Sequence, residues 1–291
     1  MRLRTIKDYL NHSRYGKIVI RIGSYAHTIF SIVKFTFHRE LRRFGYVDCN
    51  LIEVKKYAKL HKNKRCFIIA TGPSLRLTDL ENLKDEITFS MNSICQMFDK
   101  TDWRPTYYGI QDEVGLDRVK DNLTFENKPV YLFNSKFRRK IMSDTSFTKG
   151  KNILFFPLRY GLHGSRLDFR NRTNGFSNDA YVEVVDGYTI TYSLIQIAVY
   201  MGIKEVYLLG VDNSYSKPGP KHFVDHDGDK NVTLDKWELI EKRMSTAYLE
   251  ASKYANQNGI KIYNASRGGQ LEIFERVNLD QIVNSEPCCK I

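Results

Sequence analysis

The sequence predicts an α/β fold of the Rossmann-like kind, a mostly parallel sheet with helices on both faces. Seven short apolar runs recur from Cys66 onward, each four to six residues long and each stopping at a polar or turn-forming residue. Segments with helical spacing separate them, which is the layout of strand–helix–strand units. The runs lack the in/out alternation of a sheet with one wet face, as strands buried on both sides do.

Each strand is justified by its own punctuation. Cys66–Ala70 (CFIIA) ends at Thr71-Gly72-Pro73-Ser74. Ile87–Met91 ends at Asn92, Thr106–Ile110 at Gln111-Asp112, and Val130–Phe133 at Asn134-Ser135. Asn152–Phe156 runs into Pro157, and Glu205–Gly210 into Val211-Asp212. A helix is expected over Tyr192–Met201, stopped by Gly202, and a long one over Leu234–Asn258, stopped by Gly259. Lys261–Asn264 is the last expected strand. The stretch 157–186 is long, polar and rich in arginine, and is expected to be a lid-like loop whose arginines either meet phosphates or are ordinary surface charges.

The charge divides the chain. The net charge is +12, yet sixteen Lys and Arg against four Asp and Glu lie in residues 1–65, so the remainder is neutral. Residues 1–64 are therefore read as a basic helical N-terminal extension and 65–291 as the catalytic domain. Within the extension, Ile22, Tyr25, Ala26, Ile29, Phe30, Val33 and Phe37 follow one helical face. Such a helix either lies on an anionic membrane surface or packs on the domain or on another subunit, so a homo-oligomer stays open. No nucleic-acid motif accompanies the charge, and nucleic acid is not an expected partner. The five cysteines, Cys49, Cys66, Cys95, Cys288 and Cys289, include no C-x-x-C pair, which argues against a zinc site or a disulfide framework. With no apolar leader at the start and no uncharged apolar stretch of about 18 residues, the expectation is a cytoplasmic protein, peripheral on the inner face of the membrane.

In an open parallel sheet, ligands bind beyond the carboxyl ends of the strands. The residues expected there include Thr71, Gly72, Ser74, Asn92, Gln111, Asp112, Asn134 and Asp212. They are mostly neutral hydrogen-bonding groups, suited to a sugar and a nucleobase. Gly72 lets backbone approach a ligand, Pro73 suits a first helical position, and the next amides with Ser74 would then hold a phosphate. The plainer alternative is a strand-to-helix turn. No Walker A loop and no G-x-G-x-x-G is present. His222 and His226, inside KHFVDHDGD, are the candidates for a general base, with Asp225 or Asp227 to orient the ring; the alternative is two solvated loop histidines. Asp225-His226-Asp227-Gly228-Asp229 begins like a calcium loop but has Lys230 and Lys236 at positions six and twelve, both wrong for calcium. It and Asp112-Glu113 are the places for a possible magnesium ion.

Four segments, IIATGPSL (68–75), FSMNS (89–93), YTITYSLIQIAVYMGIKEVYLLGVD (188–212) and IKIYNASRGGQLEIFERV (260–277), together resemble the bacterial sialyltransferase-like family of surface-polysaccharide loci and the related MptE-like proteins. The resemblance implies a GT-A variant of the Rossmann-like fold. It also implies a nucleotide-sugar bound by Gly72, Ser74 and Asn92, with Thr189 and Thr191 near the donor. No cofactor is then required, and a His serves as base. The family's Arg before the Thr/Ser pair is absent, since Asp186-Gly187-Tyr188 stands there, so the donor base and sugar stay open. The expected activity is inverting transfer of a sugar to a cell-surface polysaccharide or lipid-linked glycan. The alternatives are an MptE-like diphosphokinase using ATP and magnesium, and a non-catalytic partner in an assembly complex.

Overall fold

The computed structural model describes residues 14–123, 129–160, 175–223 and 232–284. Helix α1 (Arg14–Arg43) and the short α2 (Ile52–Lys55) precede strand β1 (Arg65–Ile69). Then follow α3 (Leu77–Glu81), β2 (Thr88–Met91), a 3-10 segment (Asn92–Lys100), β3 (Tyr107–Ile110), α4 (Glu113–Val119) and β4 (Val130–Asn134). After α5 (Arg138–Met142) and α6 (Thr145–Thr148) come β5 (Asn152–Phe156), β6 (Leu158–Arg159), β7 (Val184–Val185) and α7 (Ile190–Tyr200). The chain closes with β8 (Glu205–Leu209), α8 (Leu234–Gln257), β9 (Lys261–Asn264), β10 (Glu275–Arg276) and α9 (Leu279–Asn284). The seven expected strands fall within a residue of these bounds; β6, β7 and β10, of two residues each, carry too little pattern to be read from sequence.

The main sheet has the order β10-β9-β8-β1-β2-β3-β4-β5 and every pairing in it is parallel. The chain builds outward from β1 to β5, then returns to the other side of β1 with β8. Order therefore reverses between β1 and β8, and a crevice opens past their carboxyl ends. Aromatic rings in register tie the strands on one face: Tyr263 stacks on Tyr207 at 5.2 Å and Tyr207 on Phe67 at 5.1 Å. Phe89 stacks on Tyr107 at 4.6 Å in the same way. Such spacing follows directly from the strand separation of about 4.8 Å.

Helix α7 is mostly apolar, lies on β1, β2 and β3, and is buried at ten of its eleven residues, its polar Ser193 and Gln196 bonded within the core. Its approach to β3 depends on Gly109, where an added Cβ would stand 3.0 Å from Leu194 and 3.1 Å from Ile190. Helix α8 buries Met244, Ala247, Tyr248, Ala251 and Ala255, one face at helical spacing, against α7 and β9.

The segment after α1 belongs to the body rather than to the extension. Leu51 and Val54 join the hydrophobic core, and the Tyr181 hydroxyl receives the Asp48 N–H at 2.7 Å. Only α1 stands apart, with Ile22, Ile29, Phe30, Val33 and Phe37 exposed. The ends of the expected lid are also built into the core. β6 and β7 pair in parallel, Ala180, Tyr181 and Val184 are buried, and Phe176 stacks on Tyr254 at 4.3 Å. Residues 161–174, with most of that loop's arginines, lie outside the described residues.

Gly109→Val would force branched methyls into the α7 contact. The expected result is a loss of about 1–3 kcal/mol in folding stability, as overpacked cores show. Urea denaturation at fixed pH checks it; an unchanged midpoint would mean that α7 has room to shift.

Candidate functional site

The crevice past β1 and β8 holds a cavity of about 230 Å³. The loop after β1 contributes Thr71 and Gly72, the loop after β2 Asn92, and the loop after β3 Gln111 and Asp112. Tyr188, Thr189 and Thr191 come from the start of α7, and Asp212, Asn213, Tyr215 and His222 from the segment after β8. Trp237, Met244 and Tyr248 project from α8. One wall therefore gathers nine of the residues expected from the sequence.

The reason for Gly72 differs from the expected one. Its N–H donates to the Gly210 carbonyl at 2.8 Å, and an added Cβ would collide with that carbonyl and with the Asp212 carboxylate. The glycine is needed for two strand-end loops to touch, and it also lines the cavity. Ser74 does not line the cavity: its N–H donates to Asp212 Oδ2 at 2.8 Å and its hydroxyl to Asp212 Oδ1. Helix α3 begins only at Leu77 with Arg76 as its N-cap, so Pro73 is not a first helical position and Ser74 lies ahead of the helix rather than in its first turn. Asn134 is also turned inward. Its Nδ2 donates to the Gln111 carbonyl at 3.0 Å and to the Tyr160 hydroxyl at 2.6 Å, and its Oδ1 receives the Lys136 N–H. It braces the wall from behind.

A helix N-terminus does open on the cavity, and it is that of α7. Thr189 caps it, receiving the Thr191 N–H on its hydroxyl at 3.3 Å. The aligned amides of an 11-residue helix place partial positive charge there.

Two further features concentrate at the cavity. Among the described residues, five non-glycine residues have positive φ, and three of them are cavity residues: Asn92 (48°), Tyr188 (65°) and Asn213 (47°). Asparagine tolerates this region; a bulky tyrosine there is held by its surroundings at a cost of order 1–3 kcal/mol. Among the described residues, two buried side-chain oxygens of cavity residues, Asn92 Oδ1 and Asn213 Oδ1, have no protein partner. Each such atom costs about 1–3 kcal/mol unless something pairs with it. Burial also pushes the Tyr248 phenol up to about 12, so it stays a neutral donor at working pH.

Asp186, unremarked in the sequence except as a departure from the family, sits behind the wall at 5% exposure. Burial raises its carboxyl to about 7, against hydrogen bonds from the Tyr188 N–H at 3.0 Å and Gln111 Nε2 at 3.4 Å, with Asp112 adding to the rise. Gln111 Oε1 in turn receives the Ser193 hydroxyl at 2.7 Å. The side chain of Gln111 is thus fixed from both ends.

The aromatic wall was missed although a signal existed. Trp237, Ile240, Met244 and Tyr248 repeat at i, i+3, i+7 and i+11, one stripe of α8 aimed at the cavity. Tyr215 stacks on Trp237 at 5.3 Å and meets His222 edge-on at 5.9 Å. His226, Asp225, Asp227 and Asp229 lie outside the described residues.

The candidate carboxylates among the described residues are turned to protein partners. Asp212 gives both oxygens to Ser74, Asp112 Oδ1 receives the Gly115 N–H at 2.7 Å, and Glu113 pairs with Lys140 at 3.3 Å. Among the described residues no group of three or more His, Cys, Asp or Glu converges. Arg159, counted among the loop arginines, pairs with Glu183 at 2.6 Å.

Residues 47–218 match the family model described as 6-hydroxymethylpterin diphosphokinase MptE-like, and the chain belongs to this MptE-like family. Among solved structures, it is similar to a Maf glycosyltransferase from Magnetospirillum magneticum AMB-1, at 14% identity and a TM-score of 0.48, covering 81% of this chain and 38% of that one. The present chain thus spans well under half of that protein. It is also similar to the sialyltransferase CstII from Campylobacter jejuni with cytidine-5'-monophosphate, at 14% identity and a TM-score of 0.46, covering 77% and 88% of the two chains. The same enzyme with CMP-3FNeuAc gives 13% identity and a TM-score of 0.41, with 77% and 88% covered. Likenesses this remote assign no activity. No curated protein matches the chain.

The Asp186 carboxyl makes a pH prediction. A carboxyl raised on folding binds its proton more tightly in the native state. Its contribution is complete below about pH 4 and is lost as pH rises toward 7. The loss is of order 4 kcal/mol for about three pH units. Asp186→Asn should remove that slope, so the gap in urea midpoint between variant and wild type widens from pH 5 to pH 8. Parallel curves would show that Asp186 is ionised throughout.

Proposed function

We propose that the chain is a glycosyltransferase that binds a nucleotide-activated sugar in the β1/β8 crevice and passes the sugar to a hydroxyl of a cell-surface polysaccharide or lipid-linked glycan, with inversion. The observation that carries this reading is the pair of unpartnered buried polar atoms, Asn92 Oδ1 and Asn213 Oδ1, on two residues of one cavity that the Tyr248 phenol and Thr189 also line. Those atoms call for a ligand rich in directional hydrogen-bonding groups, as a nucleoside and a sugar are. The amino end of α7 suits the donor phosphate, and the Tyr215–Trp237 pair supplies a flat apolar surface beside it.

In the proposed step the acceptor oxygen forms its bond to the anomeric carbon as the bond from that carbon to the donor phosphate oxygen breaks. The acceptor proton passes to an imidazole, and the nucleotide leaves with the electron pair. His222, in the cavity wall, is the base the described residues offer; His226 is the alternative. Because the described carboxylates are turned to protein donors, no step is assigned to a metal. A cytoplasmic, membrane-peripheral setting fits a lipid-linked acceptor.

The family match supports a second reading, an ATP-dependent diphosphokinase that uses magnesium. A thermal-shift series against CMP-, UDP-, GDP- and dTDP-sugars and ATP, with and without magnesium, separates the two. A nucleotide-sugar that raises the melting temperature without magnesium supports the transferase. A shift by ATP alone, dependent on magnesium, favours the diphosphokinase, and no shift by any nucleotide points to a non-catalytic partner. Asn92→Gly keeps the backbone geometry and removes the orphaned acceptor. It should leave unliganded stability nearly unchanged while weakening nucleotide binding about tenfold or more. His222→Gln should lower turnover by roughly 10²–10⁴ with binding retained; full activity in that variant would reassign the base.

A further inference from the structure

Helix α1 is amphipathic the wrong way round for a helix packed on its own domain. Ser24, His27, Thr28, Ser31, Lys34 and His38 line the groove between α1 and the body, interleaved with Ile20, Tyr25, Ile32 and Phe35, so this inner face is mixed. The apolar stripe of Ile22, Ile29, Phe30, Val33 and Phe37 is on the opposite side, each residue at least half exposed. A core-seeking helix would turn the other way. The body grips α1 through its last two turns: Arg42 Nε and Nη2 donate to the Val182 carbonyl at 3.1 and 2.8 Å, and Arg39 and Arg43 reach Glu183.

The groove itself is strongly cationic. Seven Lys and Arg side chains line it, of which Arg42 faces Asp48 at 3.5 Å and Arg39 and Arg159 pair with Glu183. Lys34, Lys136, Arg138 and Arg139 make no ion pair among the described residues. We infer that α1 and this groove form a docking surface for an anionic lipid bilayer, the outer stripe in the acyl boundary and the groove cations on headgroup phosphates. Opposite charge recommends the lipid, and like charge argues against a second copy: two such faces would bring together the basic ends that carry the whole +12. By length and composition α1 would also cross a membrane. The polar residues interleaved along its inner face and the charge of Lys34 within its C-terminal half instead fit a helix lying in the interface. This inference does not depend on what the β1/β8 cavity binds.

The test is flotation of the full chain with phosphatidylglycerol/phosphatidylcholine vesicles and with phosphatidylcholine vesicles alone. Binding is expected only to the anionic vesicles and should weaken with salt. Lys136→Ala, Arg138→Ala and Arg139→Ala should each lower it roughly fivefold. Phe30→Ser with Val33→Ser should lower it about tenfold or more, with the melting temperature unchanged because both side chains lie in solvent. Equal binding to both vesicle types, or no effect of either set of variants, would overturn the inference. So would resistance to alkaline extraction, which marks a spanning helix. Concentration-dependent dimers abolished by Phe30→Ser/Val33→Ser would overturn it in favour of a contact between copies.

Discussion

The architecture hinges on the contact between the loops that leave β1 and β8. Ala70 N–H donates to the Leu209 carbonyl at 2.8 Å, Gly72 N–H to the Gly210 carbonyl at 2.8 Å, and Ser74 closes on Asp212. Gly210 turns with φ of +64°, and a Cβ there would stand 2.9 Å from the Ala70 carbonyl. Two backbones this close leave room for no side chain, so both positions require glycine. The contact draws the two halves of the sheet together where strand order reverses, and the cavity is what remains in front of it.

Around that contact the protein stores cost. Three residues of the cavity hold left-handed backbone, two of them present buried polar atoms with nothing to bond, and a carboxyl behind the wall is pushed toward neutrality. Each would destabilise an ordinary core. Their support comes from the packed scaffold, above all α7 over Gly109 and the aromatic ladder through Tyr263, Tyr207 and Phe67. Unfavourable features gathered at one concavity and over-determined from behind single it out as the candidate site.

Much was legible from the residues. Strand ends read from CFIIA, TYYGI and EVYLLG are correct to a residue, because buried parallel strands are short apolar runs that polar caps must end. Thr71, Asn92, Gln111, Asp112, Thr189, Thr191, Asp212 and His222 do meet in one place, because the carboxyl ends of parallel strands share one edge. The reasons attached to some residues were less legible. Ser74 and Asn134 carry the same chemistry as Asn92, yet their polar atoms turn to Asp212, Gln111 and Tyr160. The stripe of Trp237, Met244 and Tyr248 looked like any buried helix face, since spacing tells that residues share a side but not what the side faces.

Sequence by itself determined the fold class, the strand ends and the basic amphipathic helix, since hydrophobic period and turn chemistry are local properties. Tertiary structure decided which strand-end side chains face the cavity and which face one another, because that depends on partners more than 100 residues away, as Ser74 and Asp212 show. It also decided which way α1 turns its apolar stripe. A helical period defines two faces, and only the body's grip on Arg39, Arg42 and Arg43 selects the one that meets solvent.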